Sequence, residues 1–168
     1  YLVILLLLGL SPLLWFQPGK MINSSDINLA VDPADFAHRL LYTWDNRDFA
    51  GFSNSQSISL LFPYVLFFTL FQYFGFSLPA IQKIWLVLIF VLGGFSMYYL
   101  VFSLTKKRLA GFVSAVFFMY NIAQVDRWFA SHYGVVLMVG VLPLTLLFFI
   151  KGLDARNVKF KYCILIAL

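Results

Sequence analysis

Asp26 is the residue whose type and place most invite chemistry. It lies in Asn23-Ser24-Ser25-Asp26-Ile27-Asn28, ten residues beyond an apolar run that closes at Phe16. A carboxylate at such a boundary between membrane and water can take a proton from a sugar hydroxyl, the general-base step that inverting glycosyl transfer needs. An apolar face beside it would make it a stronger base. The plainer alternative is a solvated loop carboxylate, and the residues alone leave both open.

A second polar cluster, Asp126, Arg127, Trp128, Ser131, His132 and Tyr133, separates two apolar runs. An ionised pair beside aromatic rings can clamp a phosphate, because the Arg fork matches its oxygens. The alternative is a helix end marked by charge, with Trp128 and Tyr133 in an aromatic belt. Lys83, near the start of another run, can meet a lipid phosphate or simply snorkel to the headgroups. Helix capping explains Asp32, with catalysis as its alternative, and Asp35 and His38 fit the solvated face of the same helix. Asp45, Asn46, Arg47 and Asp48 fit a polar turn that ends this helix, with acceptor binding by Asp45 and Arg47 as the alternative. No zinc-ligand spacing, phosphate-cradling glycine loop or nucleophile elbow is present. Cys163 is the single cysteine, so the chain can build neither an internal disulfide nor a cysteine-based metal site.

The elements that must position these residues are overwhelmingly apolar. Of 168 residues, 62% are hydrophobic, 20% aromatic and 11% charged, whereas a soluble domain is about a quarter charged. This excludes an ordinary soluble domain, a disordered tail and a nucleic-acid-binding module. The net charge of +5 arises from 12 Lys and Arg against 7 Asp, with no Glu. In a membrane protein such an excess sets orientation and does not mark a nucleic-acid partner.

Apolar runs occupy 1–16, 58–74, 80–104, 109–124, 134–150 and 162 onward, with no internal repeat. Two loops, Lys106-Lys107-Arg108 and 151–161 with Lys151, Arg156, Lys159 and Lys161, hold seven of the 12 basic residues. The positive-inside rule places both in the cytoplasm. Runs 109–124 and 134–150 then cross out and back, and run 80–104 crosses inward. The insertion 17–57 carries five of the 7 Asp and three basic residues, a balance that fits the outer side. Run 58–74, short and interrupted by Pro63, is then juxtamembrane or re-entrant, which is tolerated where the backbone packs inside protein; the alternative is that it spans the membrane and the insertion is cytoplasmic. As a helix, run 1–16 spans about 24 Å, short of the roughly 30 Å hydrocarbon core. A truncated first span, the start of another at 162–168, and a fragment of a longer protein are therefore expected.

Inside the insertion an amphipathic helix is expected over 33–44. Asp32 is a good N-cap and Pro33 suits the first position, where its missing N–H costs nothing. Val31 and Phe36 stand where a hydrophobic staple would close, and Asp35 lies in the first turn. Phe36, Ala37, Leu40, Leu41 and Trp44 would share one face, and such a helix would lie flat in the headgroup layer as a shelf. The rings of Phe62, Phe67, Phe68, Phe71 and Phe74 are expected to pack and to meet lipid.

With these residues set out, the chain resembles the membrane domain of the α-(1→3)-arabinofuranosyltransferases of mycobacterial type, a branch of the GT-C glycosyltransferases. Four stretches carry the likeness over roughly 18–150. The first is Pro18-Gly19-Lys20 followed by Asp32-Pro33 and the segment 36–44. Next come 51–56 leading into Leu61-Phe62-Pro63 and Phe67-Phe68. Leu78-Pro79 with Gln82-Lys83-Ile84-Trp85 is the third, and the helix pair over 109–147, with Pro143, is the fourth. Their order and spacing carry more weight than any one of them.

The resemblance implies an all-α fold: a polytopic transmembrane bundle of GT-C type with juxtamembrane helices in a long first outer loop. It implies an enzyme of the plasma membrane that transfers a sugar, arabinofuranosyl-like, from a polyprenyl-phosphate donor to a cell-envelope glycan on the extracytoplasmic side. Asp26 is then the base, and Arg127, His132 and Lys83 are the candidates for the donor phosphate. Asp32, Asp45 and Arg47 are the acceptor or loop candidates. The partners are the lipid-linked donor, the glycan acceptor and the bilayer, with no nucleic acid. No cofactor is expected, and a divalent metal is left open. Counted from Pro18-Gly19, the family's first-loop Asp falls on Ser24, two residues before Asp26, and no acidic residue stands at Ser131-His132. A lipid-linked glycan transporter or flippase and a non-catalytic membrane scaffold are the competing readings. A transporter would usually show paired broken helices.

Overall fold

Apolar runs this long have few ways to satisfy their backbone except as helices, and helices are what the structure contains. The computed structural model describes residues 1–22, 31–45, 51–53, 61–123, 126 and 133–154. Its helices are α1 (Leu2–Gly9), α2 (Pro33–Leu40), α3 (Leu66–Tyr73), α4 (Leu78–Thr105), α5 (Arg108–Met119) and α6 (Tyr133–Asp154).

The axis is α4. Pro79 sits in its first turn, where no N–H partner is needed. Its 28 residues rise about 42 Å, more than the roughly 30 Å of hydrocarbon in a bilayer. Among the described helices it is the one long and apolar enough to cross a membrane. It ends where Lys106 turns left-handed at φ 58°, and Lys107 N–H closes the corner on the Thr105 hydroxyl at 3.2 Å. That tight corner folds α5 back antiparallel: Gly111 meets Tyr98 and Gly94 meets Met119.

Small residues let the partners of α4 approach. Gly93 and Gly140 face each other so closely that an added Cβ on either would stand 3.7 Å from the other's Cα. Beside them the buried Ser96 hydroxyl is 2.6 Å from Gly140 O and 2.8 Å from Gly93 O. On another side, Gly9 of α1 admits the side chain of Val91. Helix α1 gives way to a 3₁₀ turn, Ser11–Trp15, because Pro12 has no N–H to offer Leu8 O. The Tyr120 hydroxyl, at the end of α5, donates to that carbonyl at 3.0 Å and also meets Ser11 Oγ at 3.0 Å.

The other elements gather at the N-terminal end of α4. A kinked segment, Leu61–Val65, with Phe62 extended at φ −117° and ψ 132°, leads into α3. Helix α3 ends on Gly75 in the left-handed region at φ 84°, with Phe76 N–H returned to Phe71 O at 3.2 Å and Gly75 N–H to Gln72 O at 2.9 Å. This is a Schellman stop, in which a side chain at position 75 would be strained. Of the rings expected to pack, Phe67 lies 4.7 Å from Trp85 of α4, ring centre to ring centre, with Tyr64 beside it at 5.8 Å, whereas Phe62 and Phe74 are exposed.

Three details differ from the expectations for the shelf. Helix α2 stops at Leu40, not at residue 44. Leu40 is fully buried against the core, but Leu41 is 66% and Trp44 59% exposed, so neither continues its apolar face. Second, Trp44–Asp45 (β1) pairs antiparallel with Phe52–Ser53 (β2), a small addition to an otherwise helical chain. The bare Cα of Gly51 makes room for the Trp44 indole, and that contact holds the chain extended where a helix was expected. Third, Val31 is 85% exposed, so the staple against Phe36 is not built. Phe36 instead lies under the Arg39 guanidinium, 5.5 Å away.

Candidate functional site

The segment after α1 is held against α4 by one side chain. Gln82, in the second turn of α4, is fully buried. Its Oε1 accepts from Ile22 N–H at 2.9 Å and its Nε2 donates to Ile22 O at 2.6 Å. A primary amide is the side chain suited to this, because it offers a donor and an acceptor side by side. The chain that leads into residues 23–30 is therefore fastened to the first turns of α4.

Next to Gln82, Lys83 points at the same end of the molecule. Its Nζ lies 5.4 Å from the centre of the Phe16 ring. Among the described residues no carboxylate pairs with it. The ring attracts the ammonium only modestly at an open site, so the charge stays available to an anion. Beside it, Trp15, Phe16, Gln17, Lys20, Met21 and Ile22 line a pocket of about 210 Å³. One lysine, Lys20, and the rings of Trp15 and Phe16 thus line a cleft at the foot of the first loop, and Lys83 stands against the Phe16 ring outside that lining. Lys20 gives this cleft a positive charge and the two rings give it an apolar wall.

Asp32 is where capping requires it. Its carboxylate accepts from Ala34 N–H at 3.0 Å and Asp35 N–H at 3.1 Å, which satisfies two of the free donors at the helix start. Asp45 is 6% exposed and is committed to Arg39, whose Nη1 lies 3.7 Å from Oδ2. Arg39 also meets Asp35 Oδ2 at 3.1 Å, one turn back on the same helix. Asp45 thus has a structural partner that ties the β1 strand to α2, and this partner competes with any acceptor. Helix α2 in turn packs on α3 and the kinked segment Leu61–Val65, which rest on Trp85. Lys83, Asp32 and Asp45 are therefore all carried on elements at the same end of α4. Asp26, Arg47, Arg127 and His132 lie outside the described residues.

Sequence reasoning singled out Lys83 and passed over Gln82 and Lys20. A signal for Gln82 existed: it is an uncharged polar residue in the apolar opening of α4. For Lys20 there was only its place in Pro18-Gly19-Lys20. Among the described residues no group of three His, Cys, Asp or Glu side chains gathers as metal ligands would.

Residues 10–125, more than two thirds of the chain, match the family model described as "Alpha-(1->3)-arabinofuranosyltransferase, N-terminal GT-C domain". The match spans the Gln82–Ile22 fastening, Lys83 and the α2 shelf, and it ends before Arg127 and His132. No curated protein and no solved structure matches the chain.

Proposed function

We propose, from the premise that this chain belongs to the alpha-(1->3)-arabinofuranosyltransferase family through its N-terminal GT-C domain, that it transfers an arabinofuranosyl-like sugar from a polyprenyl phosphate to a cell-envelope glycan. The observation that best supports the reading is the position of Lys83. It is a cation without a carboxylate partner among the described residues, set against Phe16 beside an aromatic-lined pocket at the end of the longest apolar helix. A donor of this class brings a phosphate and an isoprenoid chain together, and this end of α4 offers charge and apolar surface side by side.

The proposed mechanism is inverting. Asp26 removes the proton from the acceptor hydroxyl as its oxygen attacks the anomeric carbon. The bond from that carbon to the phosphate oxygen breaks with its electron pair, and the lipid phosphate departs as an anion. Lys83, with Arg127 and His132, stabilises the charge that develops on the leaving phosphate. The protein is read as a multi-pass membrane enzyme, with residues 17–57 on the extracytoplasmic side and residues 58–74 as a juxtamembrane element. Asp32 and Asp45 build the shelf, and Arg47 remains the candidate for holding acceptor.

The test is a transfer assay with full-length protein, a polyprenyl-phosphate arabinose donor and a glycan acceptor. Asp26→Asn is expected to lower transfer by about 100-fold or more while the protein accumulates normally in membranes. Unchanged transfer in that variant removes Asp26 from the mechanism. No transfer by the unaltered protein, with stability also unmoved by the donor, counts against the enzyme reading and favours a scaffold.

A further inference from the structure

We infer that the groove between the start of α1 and the corner from α4 to α5 binds an anionic phospholipid, its phosphate at Arg108 and an acyl chain along Tyr99 and Phe102. The inference rests on reading α4 as a membrane span, and the groove lies at the opposite end of that helix from Lys83.

The corner carries three cations in a row. Lys106 ends α4, Lys107 precedes α5 and Arg108 opens it, and all three are exposed. Among the described residues no carboxylate pairs with any of them. Like charges held this close repel, and a bound anion relieves the repulsion. Positive charge alone is enough to orient a chain in a membrane. What singles out this corner is the groove beside it.

Arg108 shares a cavity of about 430 Å³ with Leu2, Val3, Tyr98, Tyr99 and Phe102. Tyr98 is buried and stacks on Phe102, the ring centres 5.9 Å apart and the planes at 16°, while Tyr99 stands across Tyr98 and is exposed. Three rings of α4 and the aliphatic start of α1 thus make an apolar wall. From Tyr98 to Thr105 the helix rises about 10 Å, so the wall runs from the charged corner to the depth of the first acyl carbons. Charge at the mouth with aromatic carbon along the wall is the polarity of a phospholipid. The Arg fork matches phosphate oxygens, and basic pockets between spans hold anionic headgroups. A zwitterionic headgroup brings a cation of its own, which three fixed cations oppose. A soluble anion or an acidic protein would meet the corner and leave the apolar wall uncovered.

Native mass spectrometry of detergent-solubilised full-length protein tests this, by titration with phosphatidylglycerol or phosphatidylcholine of identical acyl chains. Phosphatidylglycerol is expected to bind about tenfold more tightly. Arg108→Gln should weaken its binding about fivefold, the effect of one interfacial charge, and Arg108→Lys should stay within about twofold. Val3→Trp keeps every charge but fills the groove, and should weaken binding about fivefold as well. Lys151→Gln removes a cation in the last turn of α6, outside the groove lining, and should change binding less than about twofold. Glycerol phosphate in hundredfold excess should not displace the lipid.

Equal binding of the two lipids overturns the inference, as does unchanged affinity in Arg108→Gln or in Val3→Trp. An equal loss in Lys151→Gln also overturns it, because that would mark a general attraction to the basic face. Displacement by glycerol phosphate would reveal a bare anion site and no lipid groove. Alkaline carbonate extraction tests the membrane reading by itself. Protein retained in the membrane pellet without a lipid preference refutes the groove alone, whereas release into the supernatant refutes the membrane reading and the inference with it.

Discussion

Lys83 Nζ stands over the ring of Phe16, 5.4 Å from its centre, so the start of α4 and the end of the first apolar segment share one cation. The two residues come from separate apolar runs, and their meeting defines the foot of the first loop. Phosphate recognition there would use the charge, while the ring holds the lysine stem near the pocket that Lys20 and Trp15 help to line.

Replacing the charge should therefore act on donor binding. Lys83→Met is expected to raise KM for a polyprenyl-phosphate sugar about tenfold, the value of one charge-assisted contact. Lys83→Arg should stay within about threefold of the unaltered protein, since Arg also serves phosphate. Steady-state transfer against donor concentration measures both, and a normal KM in Lys83→Met would show that the lysine only snorkels.

At Asp32 the cap accounts for the carboxylate through its bonds to Ala34 and Asp35. Asp32→Ala should destabilise the shelf by about 1 kcal/mol, and Asp32→Ser should restore most of that loss. Thermal unfolding in detergent gives the stability, and a transfer assay on the same samples gives kcat. A hundredfold loss of kcat in Asp32→Ser would reveal chemistry that capping does not explain.

Between α4 and α6, the prediction concerns packing. An alanine at Gly93 would bring its Cβ to 3.7 Å from Gly140 Cα and 3.5 Å from Phe118 Cε1, ordinary contact distances. Gly93→Ala should be tolerated, whereas Gly93→Leu should separate the helices and cost about 1–3 kcal/mol through overpacking. Ser96→Ala removes the bond to Gly140 O and should cost about 0.6 kcal/mol, as interhelical hydrogen bonds do in membranes. Unfolding midpoints should rank Ser96→Ala above Gly93→Leu, and the reverse order would contradict this contact.

Orientation can be read by labelling. A cysteine at Ser24, with Cys163 replaced, should react with an impermeant maleimide added outside intact cells. Reaction only after the membrane is opened would put the 17–57 insertion in the cytoplasm and remove the basis for an outer catalytic loop.

The sequence determined what is local. Composition gave a chain of apolar helices, because 11% charge cannot clothe a soluble surface of this size. Asp32 and Pro33 marked the start of α2, since capping needs only neighbours within three residues. The family was legible from the order of four short stretches. The extent of α2 was not, because Leu41 and Trp44 fit an apolar helix face until Asp45 is drawn to Arg39 and Trp44 settles on Gly51. Nor was Gln82, whose partner is a backbone sixty positions away. A backbone N–H and C=O carry no residue identity, so no pattern of side chains announces that bond. Only the packing of the first segment against α4 decided it.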